Sequence, residues 1–346
     1  MTKSVGFEQT CENRKKGDLL MTASAGEIAD HSSTEPIEVR PRKLASLDGV
    51  PHVIPYQGSK RALAHVIVPL IPDDVSTMHE PFAGSAAVAV ATAYSGKATD
   101  IQISDVNEPL MRLWDRIIND PFQLARDYER LWNQQLDDPR SYYVEIRNRF
   151  NASQEPHYLL YLLARCVKAA VRYNKNGEFN QGADNRRLGA KPKAMRERIV
   201  QTSATMGGAV ARTSDYASVL TTAKRDDVVY MDPPYQGVTN VADHRYMAGL
   251  DRAEFVAVLE EAVSNEVSFM ISYDGMLGTK QYGTPLPSRL ELLHLHLHAG
   301  RSSQSTLAGT SDRTVESLYL SPALVSRLGG RSAVIDSLEE PTLWFG

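Results

Sequence analysis

Four consecutive residues, Asp232-Pro233-Pro234-Tyr235, carry the most specific chemistry in this chain, and they follow the apolar run Val228-Val229-Tyr230-Met231. A carboxylate at the end of a buried strand is a hydrogen-bond acceptor. The two prolines cannot donate from nitrogen and fix the backbone, so the carbonyl between them can point into a pocket. The aromatic that follows offers a flat face on which a planar ligand stacks. Acceptor side chain, acceptor carbonyl and ring together suit a planar group bearing an NH2, such as an adenine amino group. Four residues alone fit equally well an aspartate that closes a strand before a proline-rich turn. The elements around them must decide.

Those elements alternate from Pro51 onward between short apolar runs and helical patterns. A strand pattern over 75–82 runs into Glu80-Pro81-Phe82-Ala83-Gly84-Ser85, followed by a small-residue helix over 86–94. A second strand, 101–105, ends in Asp105, and a helix follows over 109–119. Strand, glycine turn, helix and strand-end acid form a nucleotide-binding α/β unit, with ligands expected outside the carboxyl ends of the strands. Gly84 allows close backbone approach to a ligand, and Asp105 stands where ribose hydroxyls would lie. The dinucleotide fingerprint is absent, because the second and third glycines are missing; a nucleoside needs only one glycine and one acid. Asp215 ends a third short strand and can accept from an adenine amino group. Tyr56-Gln57-Gly58-Ser59-Lys60 precedes an amphipathic helix bearing Leu63, Ile67 and Leu70; Lys60 suits a cofactor carboxylate, or is simply a helix-start lysine. Further strands are expected over 210–215, 227–232, 267–274, 289–298 and 314–321, with a helix over 252–264.

Residues 120–200 break this alternation. Helical patterns over 121–135 and 156–173 lead to Asn176-Gly177, a strong short-range hairpin signal. The net charge of −4 does not mark a nucleic-acid binder, yet ten Lys/Arg against three acids lie between Arg165 and Arg198. Concentrated basic charge on an acidic chain suits a groove for a polyanion, or else a solvated helix face and loop. With 346 residues, 42% hydrophobic and 23% charged, the chain has ample length for a core. It shows no apolar stretch approaching a membrane span, no signal-peptide pattern, and only Cys11 and Cys166. A cytosolic protein free of disulfides is expected.

The order Gly-Ser-Lys, Glu-Pro-Phe-Ala-Gly, strand-end Asp, basic insertion and Asp-Pro-Pro-Tyr resembles the Dam-type DNA adenine-N6 methyltransferases, the alpha-class amino-methyltransferases, over roughly residues 51–322. Arg172-Tyr173-Asn174-Lys175-Asn176-Gly177-Glu178-Phe179-Asn180 looks like that family's hairpin entry into target recognition. The resemblance implies a Rossmann-like S-adenosylmethionine-dependent methyltransferase sheet, mostly parallel with one antiparallel strand, plus a helical and hairpin insertion. It implies that Tyr56, Lys60, Glu80, Pro81, Phe82, Ala83, Gly84, Ser85, Asp105 and Asp215 bind S-adenosylmethionine, with Lys60 at the cofactor's carboxylate. It gives Asp232, Pro233, Pro234 and Tyr235 to a flipped target adenine. With the hairpin, the basic segment and the late loop taken together, Arg172, Asn174, Lys175, Asn176, Asn180, Arg186, Arg187, Lys191 and Arg301 are the residues expected to meet DNA. One departure stands out: the family's cofactor loop usually has a second glycine two residues after the first, and here that position is Ala86.

The expected division is a tail over 1–45, a catalytic domain over 46–119 and 201–325, target recognition over 120–200, and a second tail over 326–346. The expected partner is double-stranded DNA in a bacterial or phage context, with a cognate restriction endonuclease admitted, no membrane and a monomer favoured. Cytosine-N4 methylation uses the same pocket logic, and a catalytically impaired DNA-binding homologue is a third reading motivated by Ala86. No metal is expected. His294, His296 and His298 alternate with leucines, as on the polar face of a half-buried strand. The loop Arg301–Ser305 with Arg313, and His244-Arg245-Tyr246, suit either phosphate contacts or ordinary loops.

Overall fold

The computed structural model describes residues 35–39, 47–169, 171–234, 250–277, 280–301 and 313–339. Its frame is a sheet of nine strands: β1 (Ile37–Val39), β2 (Val75–Pro81), β3 (Ala98–Asp105), β4 (Val210–Thr213), β5 (Val228–Met231), β6 (Phe269–Leu277), β7 (Lys280–Tyr282), β8 (Leu293–Arg301) and β9 (Arg313–Leu320). The order across the sheet is β1-β8-β9-β6-β5-β2-β3-β4, with β7 paired to β6 outside that path. All four residues of β5 are buried, as a parallel strand covered on both faces requires. β2 pairs in parallel with both β3 and β5, whereas β9 runs antiparallel to β6 and β8. The chain builds the expected mostly parallel Rossmann-like sheet, and beside the reversed β9 the short β7 also runs antiparallel, to β6.

From β2 the chain proceeds outward through β3 and β4, then returns to lay β5 on the other side of β2. The order of strands therefore reverses between β2 and β5. Ligands of open α/β sheets bind at such a switch point, outside the carboxyl ends of the strands. Glu80 and Pro81 end β2 there, and Asp232 follows β5 there. Because β9 runs the opposite way, its first residues lie at this same end.

Short helix α1 (Ala64–Ile67) precedes β2, α2 (Ala87–Tyr94) joins β2 to β3, and α3 (Glu108–Asn119) follows β3. α3 starts where sequence chemistry places it: the Asn107 side chain accepts the Leu110 N–H, and Pro109 fills the first turn. Four further helices fill the insertion: α4 (Pro121–Gln134), α5 (Pro139–Ser153), α6 (Pro156–Arg165) and α7 (Pro192–Thr205). Each has proline in its first turn. Leu124, Tyr128, Phe150, Leu160 and Met195 from these helices join one apolar core with Met78 and Ile103 of the sheet. After β4 come α8 (Tyr216–Thr222) and, beyond β5, α9 (Arg252–Ser264).

Several expectations need correction. The helix expected over 156–173 stops at Arg165, where Cys166 turns extended and bridges Ala183. The tail expected over 1–45 contributes β1, an edge strand paired with β8 through Ile37, Glu38 and Val39. The tail expected over 326–346 carries α11 (Arg331–Leu338), which follows α10 (Pro322–Arg327) and buries Val334 and Leu338. Arg327 fastens this end, donating to the carbonyls of Arg225 and Asp227, to Ser268 and to Asp74. No helix of the described residues is long and apolar enough to cross a membrane.

Candidate active site

The loop between β2 and α2 is set by backbone geometry. Phe82, Gly84 and Ala86 all have positive φ (60°, 48° and 45°), so the chain turns left-handed at alternate residues. At Gly84 a side chain is excluded twice over, by φ and because a Cβ would lie 3.0 Å from the Tyr56 ring. The Trp114 indole of α3 donates to the Gly84 carbonyl at 3.0 Å, and Ser85 Oγ donates to Ser59 Oγ at 2.8 Å. The glycine loop is thereby pinned to the Gly58-Ser59-Lys60 turn. Ala86 stands in a left-handed conformation that favours glycine, so the alanine at this position is held under backbone strain. Its methyl is fully buried in the core.

Ala86 also starts α2 without a side-chain cap, and Glu80 supplies one from beneath. The Glu80 carboxyl, 4% exposed, accepts the Ala89 N–H at 2.5 Å. Burial pushes its pKa to about 8, the helix N–H opposing and the nearby Asp232 reinforcing the rise. Glu80, grouped with the cofactor residues by its motif, is thus directed at the first turn of α2.

Asp105 ends β3 beside this loop. One oxygen accepts the Gly84 N–H at 3.3 Å and the other the Asn107 N–H at 3.0 Å. Burial raises its pKa, and those N–H groups oppose the rise. Asp215 is exposed and caps α8 by accepting the Ser218 N–H at 2.9 Å. The adjacent Tyr216 ring stacks on Phe82, with centroids 5.2 Å apart and planes 21° apart. An aromatic pair, an exposed acid and a strand-end acid therefore share one rim of the sheet, a set that suits a purine nucleoside. The Gln57 side-chain oxygen, on the turn below, is buried without a hydrogen-bond partner, an acceptor a ligand would satisfy.

At the switch point Lys60, Asp232 and Glu316 meet. Lys60 Nζ lies 3.2 Å from Asp232 Oδ1 and 3.2 Å from Glu316 Oε2, with the lysine side chain only 8% exposed. Burial pushes the Asp232 pKa up to about 6; Lys60 opposes the rise and Glu316 adds to it. Pro233 is buried and Pro234 half-buried. Tyr235 lies outside the described residues, as do His244, Arg245, Tyr246 and residues 302–312; for Arg301 and Arg313 only the backbone is described. The sequence pattern associates Lys60 with a cofactor carboxylate, not with Asp232, and it does not point to Glu316. Its signal is faint: one acid near the start of a strand whose reversed direction brings it to the carboxyl end of β5 and β6.

The insertion presents the basic residues on built turns. Asn174 closes the hairpin turn, its side-chain oxygen accepting the N–H groups of Asn176 and Glu178, while Asn180 N–H pairs with the Arg172 carbonyl. Lys175, Asn176 and Asn180 are exposed, Arg172 and Asn174 partly so. Tyr173 reaches back to the start of α3, its hydroxyl donating to Asn107 Oδ1 at 3.1 Å. Arg186 and Arg187 are 86% and 74% exposed, and both are anchored on buried Asp184. Lys191 is exposed where α7 begins. Arg165 differs from the other basic residues, since it is buried and donates to the carbonyls of Asp184, Arg187 and Pro139.

Two histidines of β8, His294 and His296, serve the sheet. His294 stacks on Tyr319, with centroids 4.0 Å apart, and His296 contacts Glu38 at 2.8 Å. Among the described residues no group of three or more His, Cys, Asp or Glu is placed to hold a metal.

Comparison with known proteins agrees with this geometry. Over 250 residues the chain is 26% identical to a DNA adenine methylase of Salmonella typhi, covering 70% of this chain and 84% of that protein. It is 29% identical over 194 residues to the Retron Ec67 DNA adenine methylase of Escherichia coli, covering 54% of this chain and 64% of the relative. It is 24% identical over 238 residues to the DNA N-6-adenine-methyltransferase of Escherichia phage P1, covering 64% of this chain and 30% of the relative. A family model described as D12 class N6 adenine-specific DNA methyltransferase matches residues 56–292, which include the glycine loop, Asp105, Asp215, the insertion and the Asp-Pro-Pro-Tyr segment. The chain belongs to the D12 class of N6 adenine-specific DNA methyltransferases, whose methyl donor is S-adenosylmethionine.

Proposed function

We propose that this chain methylates a specific site in double-stranded DNA, taking a flipped adenine against Asp232, the Pro233 carbonyl and Tyr235. The observation that carries the reading is the Asp232 carboxylate, placed at the β2–β5 switch point and held beside Lys60 at 3.2 Å. An exocyclic amine inside a duplex is inaccessible, so the base must leave the stack. Asp232 and the Pro233 carbonyl accept the two amino hydrogens and direct the nitrogen lone pair outward. Lys60 favours the ionised Asp232 that this acceptance requires. The amine's proton is readily lost once the nitrogen becomes cationic, so Asp232 need not act as a strong base. In-line positioning supplies the rate, with no covalent enzyme intermediate.

S-adenosylmethionine, when bound, supplies a methyl group on a positively charged sulfur. The residues at the rim fit it: Asp105 for the ribose hydroxyls, Asp215 with the Phe82–Tyr216 pair for the adenine, and the Ala83-Gly84-Ser85 backbone with Tyr56 and Pro81 for the methionine part. Lys60 in this reading serves Asp232, in addition to the cofactor-carboxylate role its motif implies. Arg172, Asn174, Lys175, Asn176, Asn180, Arg186, Arg187, Lys191 and Arg301 face the DNA, most contacting phosphate and a few reading base edges.

The setting is the cytoplasm of a bacterium or of a phage-infected cell, and the working unit is a monomer, because one chain contributes Lys60, Asp232 and the basic turns. Expression in a host free of DNA methylation, followed by sequencing for modified bases, tests the reading. N6-methyladenine in one recurring context is expected, and a context cut by an endonuclease when unmethylated would mark a restriction partner. N4-methylcytosine would sink the adenine assignment.

A further inference from the structure

We propose that Glu316 is a positioning residue of the methyl-transfer site, holding the Lys60 ammonium so that it pairs with Asp232 from one fixed side. The proposal rests on the assignment of Asp232 to the target amine. Glu316 lies beyond residues 56–292, the span that the family model matches, and comes from the reversed strand β9. Its Oε2 is 3.2 Å from Lys60 Nζ, the same distance as Asp232 Oδ1. One ammonium thus serves two carboxylates that arrive from different strands.

The local fold is shaped to bring Glu316 there. It sits opposite Gly275 of β6 and Leu297 of β8. The β6–β9 register shifts between Ser272 and Gly275, with Asp274 left-handed at φ 54° inside the irregularity. At Gly275 a Cβ would lie 2.8 Å from the Val315 carbonyl oxygen, so only glycine lets β6 approach the residue before Glu316 so closely. A bulge, a left-handed residue and an obligatory glycine converge on the strand position that carries the acid.

Stability does not account for the arrangement, since two carboxylates near one largely buried cation cost desolvation and repel each other. Function does. With Lys60 alone, Asp232 would form a close exclusive pair, its oxygen tied up as an acceptor. A second carboxylate draws the ammonium part-way off and fixes its direction, leaving Asp232 ionised yet able to accept from an amine. The groups facing Asp232 are Lys60 from the segment before β2, Glu80 from β2, Glu316 from β9 and Tyr230 from its own strand. Asp274 lies nearby on β6, bonded by the Tyr319 hydroxyl at 2.9 Å, with His296 among its electrostatic neighbours. Of these, Glu316 is the carboxylate that shares Lys60 with Asp232.

The test compares Glu316→Gln, Glu316→Asp and wild type in the full chain. Single-turnover methylation is followed across pH, the KM for DNA is measured, and Lys60 labelling by reductive methylation is read by peptide mass spectrometry. For Glu316→Gln we expect a rate at neutral pH lower by about ten- to a hundredfold, as for a misplaced reacting group. Its acid limb should move to lower pH, because a negative charge that raises the Asp232 pKa is gone, while the KM for DNA stays within about twofold. Glu316→Asp should keep the acid limb near wild type and recover part of the rate. Lys60 should label faster in both variants. An acid limb that does not move, with or without a loss of rate, overturns the proposal. Should the glutamine variant not fold, unchanged rate and unchanged Lys60 labelling in Glu316→Asp overturn it. If Asp232→Ala abolishes methylation while the Glu316 variants behave as wild type, this inference fails alone; if Asp232→Ala stays active, the site reading beneath it fails.

Discussion

The Lys60 ammonium lies 3.2 Å from the Asp232 carboxylate, joining the turn before the first central strand to the residue that follows β5. Removing it while keeping its length, as in Lys60→Met, leaves a carboxylate at the switch point without its cation. Methylation should fall by about a hundredfold or more, the loss typical of removing one preorganised charge at a reacting centre. The acid limb should also move to higher pH, since Lys60 lowers the Asp232 pKa. Kinetics across pH check both; full activity would show that Lys60 is only a helix-start residue.

In the unaltered enzyme the pH dependence has a definite sign. Asp232 titrates near 6, and its protonated form donates where the amine needs an acceptor. The single-turnover rate should therefore rise with pH through about 6 and level above it, measured from about pH 5 to about pH 8. A flat profile in that range would contradict the assigned role.

Glu80 gives a stability signature of its own. Its folded pKa of about 8 stands above the ordinary 4.5, so the native protein keeps a proton that the unfolded chain releases. That stabilisation is complete below the unfolded value and is lost as pH rises through the folded one, by up to a few kcal/mol. Glu80→Gln keeps an acceptor for the Ala89 N–H and removes the titration. Its Tm relative to wild type should climb between about pH 5 and about pH 8, with parallel Tm curves excluding the assignment.

Ala86 bears on whether the chain is an impaired homologue. A left-handed alanine costs roughly 1–2 kcal/mol relative to glycine. Ala86→Gly recovers that but gives up a buried methyl, about 0.8 kcal/mol, and adds freedom to the unfolded chain, about 0.4–1 kcal/mol. The net change should be under about 1 kcal/mol. Because the methyl lies in the core, calorimetry should show S-adenosylmethionine affinity within about threefold of wild type. A tenfold gain would show that the methyl does distort the cofactor loop.

Much of this site is legible in the sequence because its residues end strands, and apolar runs that stop at an acid announce themselves: Asp105 and Asp232 stand where those patterns end. The β9 reversal and the meeting of Lys60 with Glu316 are tertiary facts with no local pattern. Helices α5 and α7 hid for another reason. α5 buries only Tyr143, Ile146 and Phe150, and α7 only Met195, Ile199 and Thr202, so each apolar stripe is one residue wide among charges. The basic segment also concealed a division that only packing reveals, with Arg165 inside the fold and Arg186 and Arg187 outside it.

Those two arginines should act through phosphate or base contacts. Arg186→Ala and Arg187→Ala should each weaken DNA binding and lower the slope of log affinity against log salt by about 1 if the contact is to phosphate. Fluorescence anisotropy at several salt concentrations reads this. Unchanged affinity in both variants would remove this loop from the DNA interface.

The central claim, that Asp232 receives the target amine and not the cofactor, is tested most directly by Asp232→Ala measured two ways on one preparation. Methylation of DNA should be abolished while calorimetry shows S-adenosylmethionine binding within about threefold of wild type. Methylation that survives, or cofactor binding lost together with it, would contradict the account.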